Sequence, residues 1–121
     1  MLDATSTLGR LISALDQREI SARELLQLHL DRIRRLDGPI NSVVTIDADR
    51  AMVTAGEVDR TRAAGRDVGV LAGVPVTIKD AIATAGIRST GGAVELRDHV
   101  PGVDATVVDV IRTAGAVVFA K

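Results

Sequence analysis

The stretch Gly73-Val74-Pro75-Val76-Thr77-Ile78-Lys79-Asp80 constrains this chain most. Its alternation places Val74, Val76 and Ile78 on one face and Pro75, Thr77 and Lys79 on the other, the period of a β-strand. The strand ends in a lysine, and Asp80 begins a turn. Of the 15 basic side chains only Lys79 and Lys121 are lysines; the other thirteen are arginines. An arginine would serve equally as a solvated surface charge. A lysine can also lose its proton when buried and act as a base, which an arginine cannot do.

Around that strand the pattern is α/β. Thr5 to Asp16 reads as a helix, with Leu8, Leu11, Ile12 and Leu15 on one face and Thr5 or Ser6 as its cap. Ser21-Ala22-Arg23-Glu24 matches a capping box and opens a helix to about Leu36. Its stripe is Ala22, Leu25, Leu26, His29, Leu30, Ile33 and Leu36, and Gly38-Pro39 stops it. Ile40 to Ile46 is a strand candidate, rich in Val, Ile and Thr. Asp47 can cap a helix from about Ala48 to Ala64 whose inner face is small: Ala48, Ala51, Met52, Ala55 and Val58. Asp104 can cap a last helix with Val107, Val108, Ile111 and Ala114 on one face. Val117-Val118-Phe119-Ala120 is a continuous apolar run, the kind buried on both faces of a parallel sheet.

These elements predict N-terminal helices plus a small, mostly parallel sheet. Residues 1–121 form one unit, a helical lead over 1–65 and a strand-lysine, βαβ-like part over 66–121, with a right-handed crossover expected. So small a sheet leaves exposed edges, which implies further chain or a partner beside it.

Composition excludes several function classes. The 15 basic and 16 acidic residues leave a net charge of −1, which favours neither nucleic acid nor an anionic membrane. Phe119 is the single aromatic residue, so no stacking platform for bases exists. Without cysteine there is no disulfide, thiol nucleophile or zinc-thiolate site. No metal site and no cofactor are expected. The polar start, Met1-Leu2-Asp3-Ala4-Thr5-Ser6, is unlike a signal peptide, and no apolar run approaches the ~20 residues of a membrane span. A soluble cytoplasmic protein is the expectation.

Five segments together carry a family resemblance: Gly73 to Asp80, Ala85-Gly86-Ile87, Ser89-Thr90-x-Gly92, Asp104 to Val108, and Gly115-Ala116-Val117-Val118. They resemble the front part of an amidase signature enzyme. The resemblance covers the whole chain but only the front of the family's domain. It implies an amidase that hydrolyses carboxamide C–N bonds, with Lys79 as the catalytic lysine of a Ser–cis-Ser–Lys mechanism. It implies a small-molecule amide substrate, and a homodimer or amidotransferase subunits as partners. The sequence departs from the family at Ala81, where an Asn is typical, and at Ala93, where a serine is often seen.

The remaining residues of interest have simpler readings. The serines are Ser6, Ser13, Ser21, Ser42 and Ser89, and none lies in a Gly-x-Ser-x-Gly or Gly-Gly-Ser-Ser-Gly setting. The expected mechanism therefore has only its lysine here, and the isolated chain is expected to be inactive. Ser89 is nearest Lys79, but Ser89-Thr90-Gly91-Gly92 reads first as turn chemistry, since a nucleophile needs a base and an oxyanion hole together. His29 reads as a half-buried core histidine. Lys79 itself could simply snorkel to water. Asp80 could pair with it or cap the turn that follows. The alternative function is a shortened, non-catalytic module acting through a partner protein.

Overall fold

The computed structural model describes residues 2–121. Three helices lead, α1 (Leu8–Asp16), α2 (Ala22–Leu36) and α3 (Ala48–Ala63). Strand β1 (Pro75–Thr77), a single 3-10 turn (Val94–Leu96), helix α4 (Thr106–Thr113) and strand β2 (Val117–Ala120) follow.

Helix α2 is the best-anchored element. The Ser21 hydroxyl accepts from the Glu24 N–H, and the Glu24 carboxylate accepts from the Ser21 N–H at 2.9 Å, completing the capping box. Asp59, from α3, accepts from the N–H groups of Ala22 and Arg23 at 2.7 and 3.2 Å. All four backbone donors from Ser21 to Glu24 therefore meet side-chain oxygens. Such caps contribute about 1 kcal/mol each. The Asp59 contacts also tie α2 to α3 across 37 positions of sequence. Helix α1 starts later than its pattern suggests, at Leu8, with Thr7 as its cap. The reason is Asp3, whose carboxylate accepts from the Thr5 N–H and hydroxyl and holds that segment as a turn.

Leu15, Leu25, Leu26 and Leu30 form the main core with Ala51 and Ala55 of α3 and with Val74, Val117 and Phe119. The small residues of α3 let it lie close to α2. Gly73 shows how tight the next layer is: at φ +82°, a Cβ there would sit 2.7 Å from the Ala22 Cβ. A second, smaller core gathers Ile78, Ile87, Val108 and Val118.

β1 and β2 pair in parallel, Pro75 with Val117, Val76 with Val118 and Thr77 with Ala120, with an irregularity between Val76 and Thr77. β2 is buried along its whole length and feeds both cores: Val117 and Phe119 face the first, Val118 the second. Ile78 lies in the second core, and Val76 packs against both cores. Val74 does not join Ile78. It precedes the strand, its N–H closes a turn onto the Leu71 carbonyl, and it packs in the first core.

The segment from Ile40 to Ile46 is not a regular strand. Only Ile46 forms a bridge, antiparallel, with Ala120. Val44 and Asp47 nevertheless donate to the carbonyls of Lys121 and Phe119, and Lys121 donates to Thr45. β2 thus has backbone partners on both sides, whereas β1 has β2 alone among the described strands.

Candidate functional site

Both lysines follow the carboxyl ends of the two parallel strands, which is where open α/β sheets place their ligand sites. The Ile78 N–H donates to the Ala120 carbonyl at 2.9 Å, so the two strand ends are held in step. Their side chains meet different surroundings.

Lys79 stands two residues beyond β1 and is exposed to solvent. Its carbonyl accepts from the Ile82 N–H at 2.9 Å, closing a tight turn over Lys79–Ile82. Its ammonium has no hydrogen-bond or carboxylate partner among the described residues. It is exposed rather than buried, so the burial expected around a neutral base is not supplied by these residues.

Asp80 neither pairs with Lys79 nor caps the turn after it. Its carboxylate accepts from the Thr90 N–H at 3.2 Å and from the Thr90 hydroxyl. Its carbonyl accepts from the Gly91 N–H, and the Thr90 hydroxyl accepts from the Gly92 N–H. The polar glycine loop is thereby docked directly beside the lysine turn. Burial pushes the Asp80 carboxyl up, but the Thr90 hydrogen bonds and the Lys121 charge hold it below its ordinary value.

Lys121 is the buried lysine, with 4% of its surface exposed. Its Nζ donates to the Thr84 Oγ1 at 2.8 Å, to the Ser89 Oγ at 2.8 Å and to the Ile82 carbonyl. Thr84 and Ser89 are themselves buried, and each hydroxyl donates to a carbonyl, Thr84 to Ile82 and Ser89 to Ile87. Their lone pairs are then what faces the lysine. An ammonium has three donors and no acceptor, and all three are used. Burial pushes the Lys121 amine down from its ordinary value, while Asp80 and then Asp104 push it back up. With three oxygens to satisfy, it works as a cation and a donor.

Three further polar residues take structural roles. Ser89 is buried with its proton committed to Ile87, so it is a structural hydroxyl rather than a nucleophile. His29 is part-buried, with Nδ1 2.9 Å from the Leu25 carbonyl of its own helix, as a core histidine should be. Asp104 does not cap α4, whose cap position is Ala105. It instead accepts from the Ala85 N–H at 2.7 Å and pairs with Arg112, which fastens the loop after β1 to α4.

The Lys121 cluster is the part that sequence reasoning missed. One signal was available: the chain has two lysines, and both come just after apolar strand-like runs. A small cleft lined by Asp80, Ala83, Ser89, Thr90 and His99 opens beside this cluster. A larger one, between α3 and the turns at Asp67–Gly69 and Arg112–Ala116, includes neither lysine. No cluster of His, Cys, Asp and Glu able to hold a metal occurs among the described residues, and no described helix is long and apolar enough to cross a membrane.

Comparison with known proteins agrees with the fold. The A subunit of glutamyl-tRNA(Gln) amidotransferase from Chromohalobacter salexigens is 44% identical over 115 residues, covering 95% of this chain and 24% of that protein. The protein of the same name from Acidothermus cellulolyticus is 42% identical over 115 residues, covering 95% of this chain and 23% of its own. The peptide amidase of Stenotrophomonas maltophilia superimposes with a TM-score of 0.89 at 36% identity, over 98% of this chain and 24% of that one. A bacterial aryl acylamidase of the amidase signature family gives a TM-score of 0.87 at 29% identity, over 94% of this chain and 24% of that one. The chain spans about a quarter of the length of the curated relatives it matches. The family described as Amidase matches residues 24–121, nearly the whole of the structure described above, and the chain belongs to that amidase signature family.

Proposed function

We propose that this chain supplies the proton acceptor, Lys79, of an enzyme that hydrolyses carboxamide C–N bonds. The observation that carries the reading is the placement of Lys79. It follows the carboxyl end of a parallel strand, with an ammonium free of protein partners among the described residues, beside a glycine loop docked by Asp80. In the proposed reaction a serine hydroxyl attacks the amide carbonyl carbon. Its proton passes through a second serine to the neutral Lys79 amine. The tetrahedral oxyanion rests on backbone N–H groups, and the C–N bond then breaks as the leaving nitrogen takes the proton. Water releases the acid from the acyl-enzyme. Both serines belong to sequence outside these 121 residues. That sequence also has to cover Lys79.

The relatives support a small carboxamide substrate, since two of them are a peptide amidase and an aryl acylamidase. Relatives named as one subunit of an amidotransferase support partner subunits. The reading keeps a homodimer as the other assembly and the cytoplasm as the compartment. A second reading, a non-catalytic module that packs on a partner protein, draws on the exposed valines Val103, Val107 and Val110 on and before α4.

A steady-state assay on benzamide and propionamide separates these readings. It compares the 121-residue chain, the chain extended by its serine loop, and the extended Lys79→Arg variant. Turnover confined to the extended chain and lost in the variant supports the proposal. Turnover that survives Lys79→Arg rejects it, because arginine is not a neutral base at neutral pH. An extended chain without any turnover favours the non-catalytic reading.

A further inference from the structure

We propose that Lys121 is a positioning residue whose ammonium holds the turn carrying Lys79 in place. This rests on the amidase reading only for its consequence in catalysis. The structural claim stands on the buried cluster alone.

Lys121 binds the Ile82 carbonyl, and the N–H of that same residue closes the turn onto the Lys79 carbonyl. Lys121 also binds Ser89, the residue before Thr90, which Asp80 holds. One ammonium therefore grips both ends of the loop that leaves β1, through Ile82 and Thr84 near its start and Ser89 near its end. Lys121 is itself fixed at its backbone, where its N–H donates to Thr45 and its carbonyl accepts from Val44. That frame is rigid because Ala120, Phe119 and Val118 are all buried. Buried hydroxyls and a carbonyl gathered around a void would cost the desolvation of each group. The ammonium turns the same three oxygens into its coordination shell. Because the Ile82 carbonyl and N–H belong to adjoining peptide planes, loss of the Lys121 contact frees the turn and the direction of Lys79.

The test is nuclear magnetic resonance on the whole chain. At neutral pH the unaltered protein should show one slowly exchanging lysine ¹⁵Nζ ammonium signal, absent in Lys121→Met and retained in Lys79→Met. Amide exchange at Ile82 and Gly91 should quicken at least tenfold in Lys121→Met relative to Leu25 and Leu30 of α2. Lys121→Arg, which keeps charge and donors, should return most of that protection. The proposal is overturned if the unaltered protein shows no protected ammonium signal. It is also overturned if Lys121→Met speeds every amide by one common factor, as a purely global loss of stability would. Should Lys121→Met fail to fold, the ammonium signal and exchange in Ser89→Ala, expected to quicken at Ile82 and Gly91 ahead of α2, decide it. Neither readout depends on amide hydrolysis. A chain that passes here and shows no Lys79-dependent turnover in its extended form loses the amidase reading and keeps this one.

Discussion

Lys79 and Lys121 hold matching places, each just beyond one strand of a parallel pair, yet one is exposed and the other is buried. The difference lies in the neighbours of each strand. β2 has β1 on one side and the extended Val44–Asp47 segment on the other, which fixes the Lys121 backbone, and the loop after β1 covers its side chain through Ile82, Thr84 and Ser89. β1 has one strand neighbour among the described residues, and the chain turns sharply at Lys79–Ile82, which leaves the side chain of Lys79 outside. Lys121 is saturated with acceptors, while the Lys79 ammonium has no partner among the described residues.

The largest effect that would break this comparison is on activity. In an extended protein that hydrolyses amides, Lys79→Ala should remove most of the rate, on the order of 10⁶-fold where residues act as a unit. Lys121→Arg should reduce it far less. Equal losses from the two substitutions would mean that the lysines are not divided into acceptor and support.

Stability should reverse that order. In urea titrations of the chain, Lys121→Met should cost about 3 kcal/mol, because two buried hydroxyls and the part-buried Ile82 carbonyl lose the ammonium they accept from. Lys79→Met, at an exposed site, should stay within about 0.5 kcal/mol. Removing one acceptor at a time sharpens the point. Ser89→Ala should cost about 1.5 kcal/mol, less than removing the ammonium itself.

The smallest effects are in pH dependence. The folded-state value of Lys121 lies below its ordinary 10.5, chiefly through burial. The folded protein therefore binds fewer protons than the unfolded chain between those two values. Stability should rise as pH climbs through that window, and Lys121→Met should abolish the rise. Asp80 behaves oppositely. Burial raises its value, but the Thr90 hydrogen bonds and the Lys121 charge lower it further, to a net value below 3.8. Its contribution is present above 3.8 and fades as pH falls through the folded value, so Asp80→Asn should flatten the acid limb of a melting-temperature profile.

The sequence by itself determined the local elements and the family. Ser21 and Glu24 encode a capping box because both partners lie within four residues, and the stripe of α2 is a matter of helical period. Val117 to Ala120 reads as a buried strand because all four residues are apolar. Lys79 could be placed at a strand end because alternation is also local. Tertiary structure alone decided the environment of each polar group. Asp59 caps a helix 37 positions away. Asp104, placed by sequence to cap α4, accepts from the Ala85 N–H and forms an ion pair with Arg112 instead, since those groups approach only when the loop folds back. The segment Ile40 to Ile46 has strand composition, but one bridge to Ala120 is all the regular pairing its neighbour allows. Burial of Lys121 needs Ile82, Thr84 and Ser89 to converge from 32 to 39 residues away. No pattern of period two or 3.6 records such a convergence, because periodicity reports which face a residue is on and not which distant loop will close over it.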